Sequence, residues 1–288
     1  MSLRLFKDYL SLCKPKVVLL MLVTAWVGMQ LATKDALEPS LVILAIFGIA
    51  LLGGAAATFN HIIDHKIDAK MARTLNRPIV RGSLSLKEAL VFALLLASGG
   101  LVCLFYVNVL TALLTLATSL MYSVFYSYFL KHATPQNIVI GGLAGAMPPL
   151  LGWTAVTGEL SPYAWLPVLI IFTWTPPHFW ALAIYRLEDY QKANVPMLPV
   201  THGIGFTKLC VVLYTGLLFV VTLLPYATGM SGEVYLVGAS LLGSLFLRQS
   251  IQLYMTSSIL VARKTFSFSI VYLLLLFITL LVDHSIYS

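Results

Sequence analysis

Residues 39–68 read PSLVILAIFGIALLGGAAATFNHIIDHKID and decide the class of fold. No Asp, Glu, Lys or Arg occurs in 39–63, and this run is longer than the roughly 20 residues that an α-helix needs to cross a bilayer. Four further uncharged runs of comparable or greater length follow, at 89–130, 132–158, 160–185 and 209–232. The chain of 288 residues is 59% hydrophobic and 10% charged, with a mean hydropathy of +0.92. This composition excludes a soluble globular protein, in which about a quarter of the residues are charged.

The uncharged runs, divided at Gly, Pro and aromatic residues, predict an all-α membrane protein with nine transmembrane helices. The expected spans are residues 17–33, 41–59, 89–107, 110–128, 137–156, 163–185, 207–227, 234–254 and 266–282. Because the connections between these spans are short, we expect a single polytopic domain over residues 1–288.

The distribution of basic residues predicts the orientation of the chain. With the N-terminus inside, 17 of the 18 Lys and Arg residues lie in inner segments, and only Lys34 lies outside. Since Lys and Arg favour cytoplasmic loops, we expect the N-terminus inside and the C-terminus outside. Contact of these basic segments with anionic lipid explains the net charge of +7 without a nucleic-acid partner. The N-terminus shows no signal or transit peptide pattern, which favours a bacterial inner (cytoplasmic) membrane.

Three oxygen-bearing side chains, Asn60, Asp64 and Asp68, follow one another at intervals of four at the inner end of the second span. If the helix continues past the membrane edge, this spacing places all three on one face. Two carboxylates and an amide oxygen suit Mg²⁺, which proteins hold with few carboxylates together with substrate phosphates. Arg73 and Arg77 follow downstream and are suited to bind the remaining phosphate oxygens.

Two other interpretations of this stretch remain open. Asp64 and Asp68 would pair with neighbouring Lys and Arg if the segment were a solvated loop. His61 and His65 are also spaced as a helical metal-binding pair, although the adjacent oxygen donors favour a harder ion than zinc.

A second acidic cluster lies at the inner end of the sixth span and contains Asp189. Two such clusters at the same depth would face one another across a cavity. Two interpretations of Asp189 are open. It binds a second metal ion, or it pairs with Arg186 or Lys192. Pro196 and Pro199 predict a re-entrant or capping loop at 194–200, because proline does not fit inside an ordinary helix.

The fifth and sixth spans contain residues that are unusual within a membrane. His178 follows Pro176 and Pro177, and a histidine inside the bilayer is costly without a partner. It is either a hydrogen-bonded core residue or a ligand. The fifth span is rich in glycine, which permits close helix packing.

The run Asn60-x-x-x-Asp64-x-x-x-Asp68-x-x-Met71-x-Arg73-Thr74-x-x-Arg77-Pro78 resembles the first aspartate motif of the UbiA superfamily of intramembrane prenyltransferases. Three further stretches are similar to the branch of that superfamily that farnesylates haem: 134–149, 174–183 and 189–200. The resemblance covers roughly residues 10–280 and implies a bundle of nine helices. In this branch a single acid, here Asp189, stands in place of a second D-x-x-x-D pair, which leaves a second Mg²⁺ position open.

The resemblance implies that haem b, farnesyl diphosphate and water react with Mg²⁺ to give haem o and diphosphate. The implied metal ligands and catalytic residues are Asn60, Asp64, Asp68 and Asp189. The implied substrate-binding residues are Arg73, Arg77, Lys131, Tyr126, Tyr128, Tyr185, Lys192 and His178, with Tyr122 and Trp174 as further aromatic walls for an allylic cation. It also places active-site loops at 60–88 and 186–208, beside a basic cytoplasmic segment at 1–16.

Two other functions are compatible with this sequence. A related prenyltransferase that acts on an aromatic quinone precursor would use the same metal site with a smaller, cationic acceptor pocket. A cation-coupled transporter would carry its acids near the bilayer midplane, whereas these lie at one edge. The expected partners are membrane lipid and, by resemblance, a haem a synthase or terminal oxidase that receives the product.

Overall fold

The computed structural model describes residues 3–70, 74–130, 133–256 and 258–287, and within these ranges it contains helices and turns but no strand. The α-helices are α1 (Leu3–Leu12), α2 (Pro15–Leu31), α3 (Pro39–Asp68), α4 (Leu86–Val107), α5 (Val109–Leu120), α6 (Asn137–Ala146), α7 (Pro148–Thr157), α8 (Trp165–Tyr185), α9 (Leu187–Lys192), α10 (Leu198–Thr201), α11 (Gly203–Thr222), α12 (Leu224–Ala227), α13 (Glu233–Met255) and α14 (Ile259–Tyr287). A π-helix at Met121–Leu130 continues α5, and a 3₁₀ turn at Pro162–Ala164 precedes α8.

The helices include eight stretches in the described residues that are long and apolar enough to cross a membrane. A ninth is reached if α1 and α2, which meet at an angle of 53°, are counted as one bent span. Large apolar side chains are exposed along these helices, as a lipid-facing surface requires. The prediction of an all-α, multi-pass membrane protein is therefore confirmed, and the orientation of the N- and C-termini stays a prediction.

Contacts between residues divide the chain into two compact units. The first unit comprises Met1–His132 and Met147–Leu160, and the second comprises Ala133–Ala146 and Ser161–Ser288. In the first unit, α3 packs along α4 and α2 packs along α7, around a core that includes Ile49. In the second unit, α8 packs against α6, α11 and α14.

The helix boundaries differ from the expected spans at points that matter for the site. The helix of the second span does not end near 59 but continues to Asp68, so the first part of the expected loop at 60–88 is helical. The expected loop at 194–200 contains the start of α10, in which Pro199 occupies the first turn, where its missing N–H is not needed. Pro176 and Pro177 lie inside the helix α8, which agrees with the expected sixth span at 163–185.

Two glycines allow the closest approach between helices in the first unit. A Cβ atom on Gly152 of α7 would lie 1.8 Å from the carbonyl oxygen of Ala25 in α2, and one on Gly28 of α2 would lie 1.9 Å from the carbonyl oxygen of Pro149. Both neighbours are backbone atoms, which cannot rotate away. Close packing through small residues is thus confirmed for the fifth span.

We expect Gly152→Ala to destabilise the protein, because its methyl group would force α2 and α7 apart. The loss of unfolding free energy should reach at least the ~1–3 kcal/mol typical of overpacked cores. Thermal unfolding in detergent measures it, with Gly216→Ala as the control, since a Cβ there meets nothing within 4 Å. An unchanged melting temperature for Gly152→Ala would contradict the close contact.

Candidate active site

The three predicted metal-binding side chains lie at the carboxyl end of α3. Asn60, Asp64 and Asp68 are 4%, 2% and 3% exposed. Each is one helical turn from the next, so they share one face of the helix. Buried carboxylates are costly unless cations or hydrogen bonds compensate their charge. The surrounding residues supply cations and hydrogen bonds.

Hydrogen bonds fix the orientation of the Asn60 amide. Its Nδ2 donates to Asp64 Oδ2 at 2.8 Å and to Ser127 Oγ at 2.9 Å. A carboxylate only accepts, so the NH₂ group must face Asp64. The Asn60 Oδ1 atom consequently faces the other way, where it accepts a hydrogen bond from the ammonium of Lys14.

The second carboxylate of the face, Asp68, forms an ion pair with Arg77, and their side chains are 5% and 19% exposed. The Thr74 hydroxyl donates to the Asp68 backbone carbonyl at 2.7 Å and so holds the following turn against the helix end. The pairing expected for a solvated loop therefore occurs, but in a buried setting rather than in water.

Contacts with α1 hold the rest of this turn in place. Arg81 forms an ion pair with Asp8 of α1. Leu84 is buried in a cluster with Leu12 and Ala89. These contacts position the backbone around Arg77 from both sides.

The π-helix supplies the wall next to Asn60. Ser127 Oγ donates to the Tyr122 carbonyl at 3.0 Å, the five-residue spacing of a π-helix, and accepts from Asn60. Tyr122 and Tyr126 stack with ring centroids 5.8 Å apart. Tyr128 is 64% exposed and contacts Phe129 edge-on. Single π-helical turns occur frequently at functional sites.

His61 is a buried residue of this region that the metal-site prediction does not use. It is 4% exposed, and neither ring nitrogen has a hydrogen-bond partner among the described residues. His65 differs, because its Nδ1 lies 2.8 Å from the Ile62 carbonyl oxygen. Within the described ranges, no three side chains of the types His, Cys, Asp and Glu converge, which gives no support to a histidine metal pair.

In the second unit, Asp189 lies in the short helix α9. Arg186 Nη1 is 3.7 Å from Asp189 Oδ2, and their side chains are 46% and 21% exposed. Lys192 pairs with Glu188 at 3.9 Å, on the surface. The pairing expected as one alternative for Asp189 is thus present, and its role as a metal ligand stays a prediction.

Tyr185 and its basic neighbours line a pocket of about 430 Å³ in the second unit. The guanidinium carbons of Arg186 and Arg263 lie 4.9 and 5.9 Å from the centre of the Tyr185 ring. Arg186, Asp189 and Lys208 add charged groups to the pocket wall. The pocket wall therefore combines an aromatic ring with two basic residues, Arg186 and Lys208, and two acidic ones, Glu188 and Asp189.

His178 packs in an aromatic cluster of α8 and α14. Its ring stacks against Trp174 and Phe266, with centroids 4.2 and 4.6 Å away. Nδ1 lies 2.6 Å from Ser269 Oγ, whose own proton is donated to the Phe266 carbonyl. When the Ser269 hydroxyl donates to the Phe266 carbonyl, His178 donates from Nδ1 and Nε2 carries the lone pair. This tautomer agrees with the interpretation as a hydrogen-bonded core residue.

Two predicted substrate-binding residues, Arg73 and Lys131, lie outside the described residues. Sequence reasoning from the acidic motif missed Lys14 as a partner of the site, and it also missed Ser127. A basic residue followed by proline at the start of the first span was the available signal for Lys14, whereas nothing local marks Ser127.

The oxygens of Asn60, Asp64 and Asp68 are chemically suited to a hard divalent cation, and the Asn60 oxygen, which here faces Lys14, would have to turn toward Asp64 to join the two carboxylates. Two of these oxygens already bind the cationic groups of Lys14 and Arg77. All donors are oxygens, as Mg²⁺ prefers. When bound there, Mg²⁺ would supply positive charge to an anionic ligand.

The chain is similar to known proteins in sequence and in fold. A model of the UbiA prenyltransferase family matches residues 21–282. Protoheme IX farnesyltransferase of Legionella pneumophila (strain Paris) is 58% identical over 280 residues, which cover 97% of this chain and 95% of the relative. The protein of the same name from Photobacterium profundum is 56% identical over 284 residues, covering 99% of this chain and 90% of the relative.

Solved structures show the same fold. A structure of digeranylgeranylglyceryl phosphate synthase matches with a TM-score of 0.83 at 20% identity, covering 98% of this chain and 99% of that one. A UbiA homologue from Archaeoglobus fulgidus, bound to GPP and Mg²⁺, matches with a TM-score of 0.65 at 16% identity, covering 95% and 99% of the two chains.

The apolar helices and the buried acidic face at a helix end define a multi-pass membrane protein of the intramembrane prenyltransferase class. The family match and the close relatives make the assignment more specific. The chain belongs to the UbiA prenyltransferase family.

We expect His61→Leu to stabilise the substrate-free protein, because the substitution removes a buried polar group that lacks hydrogen bonds. The gain in unfolding free energy should be about 1–3 kcal/mol. Thermal unfolding in detergent measures it, with the exposed His202→Leu as the control. A lower melting temperature for His61→Leu would show that the imidazole is stabilising where it lies.

Proposed function

We propose that this chain is a haem O synthase that transfers the farnesyl group of farnesyl diphosphate to a vinyl group of haem b. The observation that carries this proposal is the buried Asn60, Asp64 and Asp68 face in a chain whose relatives, at 56–58% identity over nearly their full length, are named protoheme IX farnesyltransferase. Such a face suits a metal-bound diphosphate.

The donor half of the reaction would use the first unit. Asn60, Asp64 and Asp68 would hold Mg²⁺, which neutralises charge on the diphosphate when bound. Arg77 lies beside Asp68 and presents a guanidinium fork that matches phosphate oxygens. Arg73 and Lys131 are proposed to bind the same group, and a further contribution from Asp189 stays a prediction. A UbiA homologue of the same fold binds GPP and Mg²⁺, which supports a prenyl diphosphate and a divalent ion as the ligands of this chain.

The reaction replaces the farnesyl C–O bond with a new C–C bond to haem. The farnesyl C–O bond breaks, and its electron pair leaves with the diphosphate. The π electrons of the haem vinyl group form the new C–C bond, and water captures the resulting cation and loses one proton. The allylic cation needs electron-rich surroundings that exclude water until the bond forms. The stacked rings of Tyr122 and Tyr126 beside Asn60 are suited to this role, and Tyr128 is proposed to extend them.

The acceptor half would use the second unit. Tyr185 lines the pocket with basic neighbours, which suit the carboxylates of a porphyrin. Lys192 is proposed to contact the same groups. His178 carries its lone pair on Nε2, the atom that a histidine ligand of haem iron uses when Nδ1 donates to another residue.

We further propose the cellular arrangement that the basic segments favour. The chain would form one domain over residues 1–288 of a bacterial inner membrane, with the N-terminus and the acidic face on the cytoplasmic side. Haem o would then pass to a haem a synthase or a terminal oxidase.

We expect Asp64→Asn and Asp68→Asn each to reduce haem o formation by a factor on the order of 100 or more, because each removes a carboxylate proposed to hold the metal. Membranes are incubated with haem b, farnesyl diphosphate and Mg²⁺, and haem o is measured by mass. Asp35→Asn, the same substitution at an exposed aspartate outside the proposed site, is the control and should retain activity. Haem o formation at the wild-type rate by both Asp variants would remove the metal site, and transfer to an aromatic acid instead of haem would favour the related prenyltransferase.

We expect His178→Phe to weaken haem binding by about tenfold or more while the aromatic stack is preserved, because a lost metal-ligand or hydrogen-bonding contact is worth this much. Haem titration followed by absorption measures the affinity. Unchanged affinity and an unchanged absorption spectrum would show that His178 is only a packed core residue.

A further inference from the structure

Lys14 of the first unit binds the side-chain oxygen of Asn60, a proposed metal ligand. The ammonium of Lys14 donates to Asn60 Oδ1 and lies 3.5 Å from the hydroxyl of Tyr122. It also lies 5.9 Å from the centre of the Tyr122 ring. Lys14 is 46 residues from Asn60 in the chain, so this contact is made by the fold and not by helical spacing.

The backbone at Lys14 is held in a conformation that lysine rarely adopts. Its φ and ψ are 49° and 61°, and among the described residues only Asn194 is a further non-glycine residue with positive φ. Asparagine tolerates this region, whereas a long side chain has no such preference. Pro15 follows directly and disfavours the right-handed helical conformation at Lys14. Strained residues of this kind are concentrated at functional sites.

The neighbours of Lys14 on both sides keep the strained position in place. Leu12 is fully buried under the turn that contains Leu84. Cys13 packs so closely on α3 that a Cβ at Gly54 would lie 3.3 Å from its sulfur. The bend of 53° between α1 and α2 falls at this point and directs the Lys14 side chain to the acidic face.

A lysine ammonium and a divalent ion are alternative occupants of one amide oxygen. The ammonium is a compact single charge on a flexible stem. A divalent ion at Asn60 Oδ1 would repel it at short range and would take the same lone pairs. The two cations therefore compete.

We propose that Lys14 acts as an internal cation that binds the Asn60 oxygen in the substrate-free protein and is displaced when a divalent ion binds. This inference rests on the proposed function, in which Asn60, Asp64 and Asp68 hold that ion. Lys14 and Arg77 together balance the charge of the two aspartates, so the acidic face stays buried and intact between reaction cycles. Lys14 is then a positioning residue that sets the metal affinity of the site.

Metal binding without substrate tests the competition. Mn²⁺ affinity is measured by electron paramagnetic resonance on the purified full chain, for the wild type, Lys14→Met and the exposed control Lys16→Met. We expect Lys14→Met to bind Mn²⁺ at least tenfold more tightly than the wild type, and Lys16→Met to match the wild type. Equal or weaker binding by Lys14→Met, or no binding by any of the three, overturns the proposal.

A second measurement uses the wild type and does not depend on the folding of a variant. The protein is treated briefly with acetic anhydride with and without Mg²⁺, and acetylation of each lysine is measured by peptide mass spectrometry. Displacement predicts that Mg²⁺ raises the acetylation of Lys14 severalfold and leaves Lys16 and Lys87 unchanged. Unchanged or lower acetylation of Lys14 at saturating Mg²⁺ overturns the proposal.

The failure of this inference can be told apart from failure of the proposed function. If the wild type forms haem o and Mg²⁺ does not change the acetylation of Lys14, only the proposal of an internal cation is contradicted. If Lys14→Met binds Mn²⁺ more tightly and the wild type forms no haem o, only the proposed haem O synthase activity is contradicted.

Discussion

The constraint on which the site depends is the burial of two carboxylates at the end of a membrane-spanning helix. Asp64 and Asp68 are nearly inaccessible, and the cost of removing a charged group from water is several kcal/mol per ion unless it is paired. Lys14 and Arg77 provide cations, and Asn60 provides a hydrogen bond to Asp64. Each of these partners needs its own support, which explains why much of the first unit is organised around one helix end.

That support comes from the turn after α3 and from the π-helix. The turn after α3 is held by the Thr74 hydroxyl and by the ion pair of Arg81 with α1. The π-helix places Ser127 against Asn60, although this geometry is rarer and less favourable than an α-helix. In this geometry Ser127 accepts a hydrogen bond from Asn60 while it donates to the Tyr122 carbonyl.

The sequence predicts this arrangement only as far as the information is local. The spacing of Asn60, Asp64 and Asp68 is a property of one helix, so their common face follows from the periodicity alone. The uncharged runs likewise predict the spans, because length and hydropathy are local. The contacts of Asn60 with Lys14 and Ser127 join residues 46 and 67 positions apart, and no spacing rule reaches so far. Pro176 and Pro177 lie inside a helix although proline disfavours helix. Neighbouring helices in a membrane protein make such a helix possible, which local propensity does not predict.

In the proposed function the first unit binds the prenyl diphosphate and the second unit binds the acceptor. Acceptor specificity in the family would then depend on the second unit. An acidic face for a metal-bound diphosphate is useful to any enzyme that ionises a prenyl diphosphate, so it says little about the acceptor. The aromatic cluster of the second unit is more specific. His178 Nδ1 hydrogen-bonds to Ser269 Oγ, and when the Ser269 proton is donated to the Phe266 carbonyl, Nε2 is the ring nitrogen that carries the lone pair. This hydrogen bond suits a packed core residue, and it also suits the proposed role of Nε2 as a ligand of haem iron. The chemistry that selects haem over a small aromatic acceptor should therefore be sought in this cluster rather than in the acidic motif.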